Sequence, residues 1–580
     1  MSKKQNRSNK KKPKKPFFSA KVPTGAYDVV IVGGGASGLA CAVSYAQAIC
    51  NQSSNKMSKP ELLNHKELNH EPWGHESSNY ESMNDELLKC ESKNRELFNR
   101  ESSNRKSSFS ESVSCDANLK AQSVFDGNAG DSDTAGSDTA GSDTAGIDTG
   151  NNETGNPVYT PKTARLRMVI LEAGKRIGTS IMRSGNGRCN FSNSSLEVTR
   201  YHHASFVEKV FSALDENRSI PSVLSWFEQL GLVWEEAPGT EGLLYPFSKK
   251  ANSVLDVLRK ALDAYGVEIC EMSEVLAISP CGHSVSSLSM DRDETSEQHE
   301  AVCSSQETGG FVVRGKTCKG ENEYQSFEIA ARKVVLASGG ATSQNILPNR
   351  QISYCNPKPI LGPVQAKSLS HADLSALDGI RVQSNVKLYR SLSDAKAKER
   401  AIFEEEGEVL FRSYGLSGIV IFNASRYAEP GDILLLDLMP HFTAEVLREM
   451  FLKRLEQQRD AVARFFFVGF VVDPLAEALL QAAGIEGEKE LLSSDIDHLV
   501  AVCKAFPFEM QGIADERTCQ VRRGGVQPEE VDFSTLEVSS CPGLFVLGEA
   551  LDVDGPCGGY NLHWAWTTGL LAGSALANPT

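Results

Sequence analysis

The sequence predicts an α/β fold, and three segments predict it. The apolar run 27–32 leads into Gly33-Gly34-Gly35-Ala36-Ser37-Gly38 and then into an alanine-rich stretch reaching about Ile49. A second apolar run, 166–171, ends on Glu172, and a third, 543–547, ends on Gly548-Glu549. A strand, a glycine turn and a helix, followed by a strand ending in an acid, is the pattern of a parallel βαβ unit of the Rossmann type.

Each residue of the first segment has its own work. Gly33 permits the tight turn, and Gly35 lets a pyrophosphate approach the backbone. Gly38 lets the helix pack closely on the strand. Ala36 and Ser37 open the helix, whose first N–H groups and positive dipole end face the phosphates. Glu172 stands 134 residues after Gly38; with the 112 residues of 51–162 set aside the spacing is 22. That matches the acid that takes the ribose hydroxyls about 20 residues on. An acid there favours an unphosphorylated ribose, and so FAD or NAD over NADP.

The segment set aside is unlike the rest. From Glu71 to Glu101 a glutamate recurs every five residues, and SDTAG occurs three times in tandem over 132–146. A period of five fits neither a helix face nor a strand. Few apolar residues offset the entropy of ordering, so 51–162 reads as a low-complexity, disordered insertion. Residues 282–308 read as a shorter polar loop of the same kind.

Charge and cysteines bound the rest. The chain of 580 residues carries a net charge of −15, yet residues 1–22 hold nine Lys/Arg and no acid. That reads as a solvated basic tail; the acidic remainder argues against nucleic acid as the main partner. The longest apolar run, around 465–472, is too short to span a bilayer, and no secretory signal is present. Fourteen cysteines without a CxxC pair imply reduced thiols and a cytoplasmic location. No cluster has metal spacing: His202-His203 lacks a spaced third ligand, and the expectation is no metal. Oligomeric state is not legible.

Two later segments favour FAD as the resident cofactor. The strand ending in Gly548-Glu549 returns near the C-terminus, as in two-dinucleotide flavoproteins, where the acid holds the ribityl chain. Pro556-Cys557-Gly558-Gly559-Tyr560-Asn561 then opens a helix reaching about Ala572. A glycine pair before a helix suits close approach by a planar ring, and the helix dipole favours negative charge on it. Residues 333–340 form another strand ending in Gly339-Gly340. No second GxGxxG follows a strand, so NADH or NADPH, if it is the electron donor, visits the flavin transiently.

Together these motifs resemble the BaiN/YhiN-type family of bacterial FAD-dependent oxidoreductases, whose members are labelled aminoacetone-oxidase-like or 3-dehydro-bile-acid-reductase-like. The resemblance rests on 32–38, Glu172, Ser184-Gly185-Asn186-Gly187-Arg188-Cys189-Asn190, the run 407–418, Gly524-Gly525-Val526, and the stretch from Gly548 to Asn561. It implies a split FAD domain interrupted by a β-barrel domain that carries a small helical domain. The expected boundaries are a basic tail 1–22, FAD domain 23–50, insertion 51–162, FAD domain 163–358, barrel 359–440, helical domain 441–516, barrel return 517–528 and FAD domain 529–580. Strand-like runs at 386–389, 419–422 and 433–438 suit the barrel. The family's glycine-rich helix after Gly340 is missing here, and its GRVFP appears as Gly242-Leu243-Leu244-Tyr245-Pro246.

By the same resemblance Gly187, Arg188, Cys189, Asn190, Gly339, Gly340, Gly548, Glu549, Gly558, Gly559, Tyr560 and Asn561 join Gly33, Gly35, Ala36, Ser37, Gly38 and Glu172 at the cofactor. Arg188 suits stabilisation of a developing enolate or flavin anion, and Tyr560 suits proton donation. The implied function is reduction of a conjugated or keto small molecule by hydride transfer through FAD. The alternative is a flavoprotein with an RNA-modification or binding role recruited by the basic tail.

Overall fold

The computed structural model describes residues 20–57, 167–240, 242–281, 310–321, 323–341, 344–349, 351–397, 399–458 and 462–578. The basic tail up to residue 19, most of the insertion and the loop 282–308 lie outside the described residues.

The chain starts with β1 (Ala26–Val32) and α1 (Ala36–Met57), and β2 (Met168–Leu171) follows. Val29 to Val32 and all of β2 are buried, as strands covered on both faces require. The short helix α2 (Thr179–Arg183), β3 (Ser192–Asn193), α3 (Ala204–Glu216) and α4 (Val223–Gln229) come next. Then β4 (Trp234–Glu236) and β5 (Leu243–Pro246) join β3 in a small antiparallel sheet. After α5 (Ala251–Ala264), β6 (Glu268–Cys270) pairs with β2, and β7 (Ser273–Pro280), β8 (Phe311–Gly320) and β9 (Glu323–Leu336) form an antiparallel meander. β9 runs back parallel to β1, with Val32 opposite Leu336. The main sheet has the order β6-β2-β1-β9-β8-β7.

Next, β10 (Tyr354–Ile360) leads into the barrel strands β11 (Val364–Ser368), β12 (Arg381–Tyr389), β13 (Phe403–Arg412) and β14 (Gly415–Ser417), with the short helix α6 (Leu392–Lys396) after β12. Helix α7 (Ile419–Ser425) and β15 (Ile433–Asp437) follow. Helices α8 (Ala444–Gln457), α9 (Asp473–Ala482) and α10 (Ile496–Lys504) precede β16 (Phe506–Ile513), which closes the barrel β11-β14-β13-β12-β15-β16. Barrel and helices share one apolar core, including Val386, Phe411, Leu434, Phe451, Phe467, Leu499 and Phe508. β17 (Val521–Val526), β18 (Leu544–Val546) and α11 (Tyr560–Ala577) complete the chain, and β18 adds to the main sheet beside β9.

The mixed α/β architecture with its barrel is the one expected, but several details differ. Residues 419–422 are helical, not a strand. The β-branched run misleads, because Val420, Ile421 and Ala424 are buried while Ile419 faces solvent, a helical period. Gly407 makes room for this helix: a Cβ there would lie 2.9 Å from Val420 Cβ. The helical segment ends at Lys504, not 516, because Phe506 to Ile513 are a barrel strand. The expected barrel return 517–528 is β17 instead, paired antiparallel with β10 in a separate two-stranded ribbon. Helix α1 runs on to Met57, past the expected start of the insertion, and Gln52 Nε2 donates to Ala577 O at 3.2 Å. Among the described residues between Gly339 and β10, the helical pieces are the short 3-10 turns Gly339–Ala341 and Gln344–Ile346.

Helices α1 and α11 lie in close contact. A Cβ on Gly569 would sit 2.6 Å from Ala40 Cβ, and one on Gly573 2.6 Å from Ser44 Cβ. Two glycines one turn apart thus let the last helix touch the first along its backbone.

Candidate functional site

The carboxyl ends of β1, β2, β9 and β18 lie on one edge of the main sheet, where ligands of open α/β sheets bind. The glycine turn after β1 divides its work. Gly33 has φ +111°, and a Cβ there would lie 2.3 Å from Ala337 O. A Cβ on Gly38 would lie 2.1 Å from Gly33 O. Both glycines are demanded by the fold itself. A Cβ on Gly35 would meet only Ser180 Oγ, at an ordinary 3.5 Å, so packing does not demand a glycine here. Ala36 and Ser37 begin α1 directly after it, with amides that lack intrahelical partners.

The other strand ends converge here. A Cβ on Gly548 would lie 2.8 Å from Ser37 Oγ, so the end of β18 abuts the start of α1. Gly548 N–H donates to Thr568 Oγ1 at 3.1 Å, and Trp564 Nε1 donates to Gly548 O at 3.1 Å. Gly339 and Gly340 face Glu549: a Cβ on Gly340 would lie 2.4 Å from Glu549 Oε1. Glu172 Oε2 accepts from Gly34 N–H at 2.8 Å, and its Oε1 accepts from Gly174 N–H at 2.6 Å. That fixes an acid beside the glycine turn.

Glu549, expected to hold the ribityl chain, is tied to the backbone in the same way as Glu172. Its Oε1 accepts from Arg522 N–H at 2.6 Å, so the carboxylate rests on the protein's own amides. Burial pushes the carboxyl up to about 7, against the pull of the Arg522 and Gly340 amides.

The segment 184–190 opens with a 3-10 turn over Ser184–Gly187 and holds two left-handed residues apart from glycine, Asn186 (φ 55°) inside the turn and Cys189 (φ 58°) after it. Gly187 lies in that turn. Arg188 is exposed, with its guanidinium 5.2 Å from the Tyr245 ring centre. Cys189 is buried, and desolvation pushes its thiol up to about 12, which leaves it unreactive. Asn190 is also buried, and its Oδ1 has no hydrogen-bond partner among the described residues.

The glycine pair lies across from β3. Gly559 caps α11 with φ 92°, and a Cβ there would lie 2.3 Å from Ser192 O. Asn193 Nδ2 donates to Gly558 O at 2.9 Å. Asn561 ties the loop: its Oδ1 accepts from Gly555 N–H at 2.8 Å and its Nδ2 donates to Gly555 O at 2.9 Å. Tyr560 is buried; its hydroxyl accepts from Glu197 N–H at 3.3 Å, and Tyr201 Oη donates to its carbonyl at 2.9 Å. Arg188 and Tyr560 therefore have separate sets of partners.

Sequence reasoning missed three groups. Ser192 Oγ lies 2.8 Å from His563 Nδ1, and burial lowers that imidazole to about 4, so it is neutral at neutral pH. Asp554 is buried between Arg426 and Arg523. Asp552 stands beside His202 and His203, the third ligand-type residue that the local sequence lacked. Asp552 and Asp554 were visible as a DxD in the C-terminal motif, but their partners are remote in the chain.

The geometry fits a dinucleotide: a glycine at 35 that packing does not demand, set before a helix N-terminus, an acid fixed beside the glycine turn, and an amide oxygen at Asn190 without a partner among the described residues. No helix among the described residues is long and apolar enough to cross a membrane.

Comparison with known proteins agrees with this geometry. The family model described as HI0933-like protein Rossmann domain matches residues 158–575. The 3-dehydro-bile acid delta(4,6)-reductase of Clostridium scindens is 29% identical over 429 residues, 71% of this chain and 93% of that protein. The ribosomal RNA dihydrouridine synthase of Escherichia coli is 25% identical over 429 residues, 69% and 90% of the two chains. Among solved structures, 3-ketosteroid delta1-dehydrogenase from Sterolibacterium denitrificans is 12% identical, covers 96% of this chain and 100% of its own, and has a TM-score of 0.34. A structural likeness of that size adds nothing to the argument. The family match and the motifs that carry it agree: the chain belongs to the HI0933-like Rossmann family, the FAD-dependent oxidoreductases that its sequence resembles.

Proposed function

We propose that this flavoprotein reduces a carbon–carbon double bond conjugated to a carbonyl in a small molecule. FAD, when bound, supplies the hydride. The observation that carries the reading is the glycine turn at the start of α1, where Gly35 is not required by packing and Glu172 and Gly548 stand close by. One relative is named a 3-dehydro-bile acid delta(4,6)-reductase and another a ribosomal RNA dihydrouridine synthase, and both names support a reduction.

The chain's residues divide the work. Ala36 and Ser37 offer amides to the pyrophosphate, and Glu172 takes the adenosine ribose. Gly339 and Gly340 line the crossing beside Glu549, and Gly187 and Asn190 line the far end. Arg188, exposed and aromatic-backed, offers positive charge to an oxygen that becomes anionic. Tyr560 keeps its proposed role as proton donor: its hydroxyl accepts from Glu197 N–H, which leaves its own proton to give. NADH or NADPH is the donor under this reading, arriving from solvent.

The test is a turnover assay with purified protein, NADH or NADPH, and a panel of enones and dienones. Flavin reoxidation by an enone, weakened in Arg188→Ala, supports the reading. Reoxidation by oxygen alone, with every enone inert, sinks it.

A second reading keeps the chemistry and changes the substrate to a nucleobase. It rests on the nine Lys/Arg of 1–22 and on the dihydrouridine synthase relatives. Dihydrouridine in ribosomal RNA exposed to the reduced protein, lost on removing 1–22, would favour it.

A further inference from the structure

His202 and His203 precede α3, and Asp552 lies between β18 and the glycine pair. The backbone joins the two segments: His202 N–H donates to Asp554 O at 2.8 Å. His203 has φ 56°, and this left-handed residue swings the two adjacent imidazoles to one side. Their ring centres are 4.1 Å apart. Both Nε2 atoms face a single oxygen, Asp552 Oδ2, at 3.6 Å from His202 and 3.5 Å from His203.

Those distances decide between two readings. An N–H···O hydrogen bond is about 2.7–3.2 Å long, so neither imidazole makes a good one to Asp552. A tetrahedral ion with bonds of about 2.0–2.1 Å sets neighbouring donor atoms about 3.4 Å apart. All three donor atoms lie within 4.8 Å of one another. The carboxylate is already aimed: its Oδ1 accepts from Gly524 N–H at 2.8 Å and its Oδ2 from Gln527 Nε2 at 3.0 Å. Such outer partners orient a metal ligand. The His202 and His203 side chains are 33% and 27% exposed, which gives an ion a way in, while Asp552 is 8% exposed. Among the described residues this is the one place where three such groups meet.

We propose that His202, His203 and Asp552 bind one first-row divalent cation of the zinc class, its remaining position taken by water. Two imidazoles and one carboxylate suit such ions better than calcium or magnesium, which prefer all-oxygen sets. The ion staples the start of α3 to the loop that leads into Gly558 and Gly559. Its work is structural, and the site is independent of the flavin reading.

The test uses the full chain with its flavin, stripped of metal by chelator and dialysed against zinc chloride. Zinc per chain is measured for the wild type and for His202→Ala/His203→Ala. Cysteines bind zinc as well, so the readout is the difference between the two proteins. The wild type is expected to hold one more zinc than the double variant, and each single variant to bind it at least about tenfold more weakly. Zinc is also expected to raise the melting temperature of the wild type and not of the double variant. The imidazoles are changed rather than Asp552, because Asp552 also anchors Gly524. Flavin content of the double variant reports whether it is folded; Tyr201, beside the pair, is left intact. If the variant misfolds, Co2+ is added to the wild type, where the site predicts tetrahedral d–d bands. Equal zinc in both folded proteins, or no such bands, overturns the proposal whatever the flavin assays show.

Discussion

The Asp554 carboxylate accepts from Arg426 Nε at 2.7 Å, and both side chains are sealed from water. Arg426 follows α7 on the barrel, whereas Asp554 belongs to the nucleotide-binding part. The second guanidinium, Arg523, donates from Nε to Asp554 Oδ2 at 2.7 Å. Arg426 Nη2 also donates to Arg200 O at 3.0 Å, and Arg523 Nη1 donates to Arg426 O at 2.8 Å. One acid thus fixes a barrel residue, the β17 ribbon and the loop before α3.

Asp554→Asn should cost about 3–5 kcal/mol, because it leaves two guanidiniums close together with no counter-charge. Burial alone would raise the Asp554 carboxyl, but Arg523 and Arg426 hold it below its ordinary value. A lowered carboxyl contributes stability above its unfolded value of about 3.8 and loses it as pH falls through the folded value. Urea unfolding at neutral pH and toward pH 3 should show the variant weaker at neutral pH, with the gap closing in acid. A variant within 1 kcal/mol of wild type at neutral pH would contradict this.

The glycine turn yields a contrast between neighbours. Gly33→Ala and Gly38→Ala should destabilise the flavin-free protein, since each methyl meets a backbone oxygen. Gly35→Ala should leave the flavin-free melting temperature near wild type and weaken FAD about tenfold or more. Melting and FAD titration of the three variants check this. Equal FAD affinity in Gly35→Ala and wild type would place the pyrophosphate elsewhere.

For Glu549 the sign is opposite to that of Asp554. Its folded carboxyl, at about 7, is raised above the ordinary 4.5, so the folded protein holds that proton more tightly. Its effect is to lower stability as pH rises from about 4.5 to about 7, by up to about 3 kcal/mol. Glu549→Gln should flatten that part of the profile in flavin-free protein. An unchanged slope between pH 5 and pH 8 would mean that the carboxyl is hydrated.

Replacing Glu172 tests the adenosine end. Glu172→Ala frees the Gly34 and Gly174 amides and removes the proposed ribose acceptor, so FAD retention on gel filtration should drop. Retention of FMN, which has no adenosine, should not change. Loss of both would point to a collapsed turn.

The insertion gives a fifth expectation. Replacing 58–162 by a linker of about ten residues should leave FAD retention and melting nearly unchanged. Loop-closure entropy varies slowly with length, and β1 and β2 pair directly around the insertion. An insoluble product would show that the segment supports the fold.

The nucleotide half was legible because its signals are local. The turn Gly33–Gly38 and the acid Glu172 each sit at the end of an apolar run, and the arithmetic of spacing joined them across the insertion. Helix α7 was misread because Ile419, Val420 and Ile421 favour strands, and only the gap over Gly407 settles the matter. The pairing of Arg426 with Asp554 spans 128 residues, and His202 meets Asp552 only after the chain has closed; no local pattern encodes either. Tyr560 was read as a proton donor beside two glycines, but its contacts with Glu197 and Tyr201 come from a segment remote in the chain.

The contact of Gly569 and Gly573 with α1 has a consequence for synthesis. The first strand and helix leave the ribosome long before the 18-residue helix that covers them. At about 5–20 residues per second that wait lasts roughly half a minute to two minutes. During it, the flank of α1 around Ala40 and Ser44 is uncovered, while the barrel and its helices already possess a core of their own. The barrel, with its own core, can therefore assemble before the cofactor site is covered. A chain cut short before Gly569 would carry a finished barrel and an open, sticky first helix, which is the kind of product that chaperones and proteases remove.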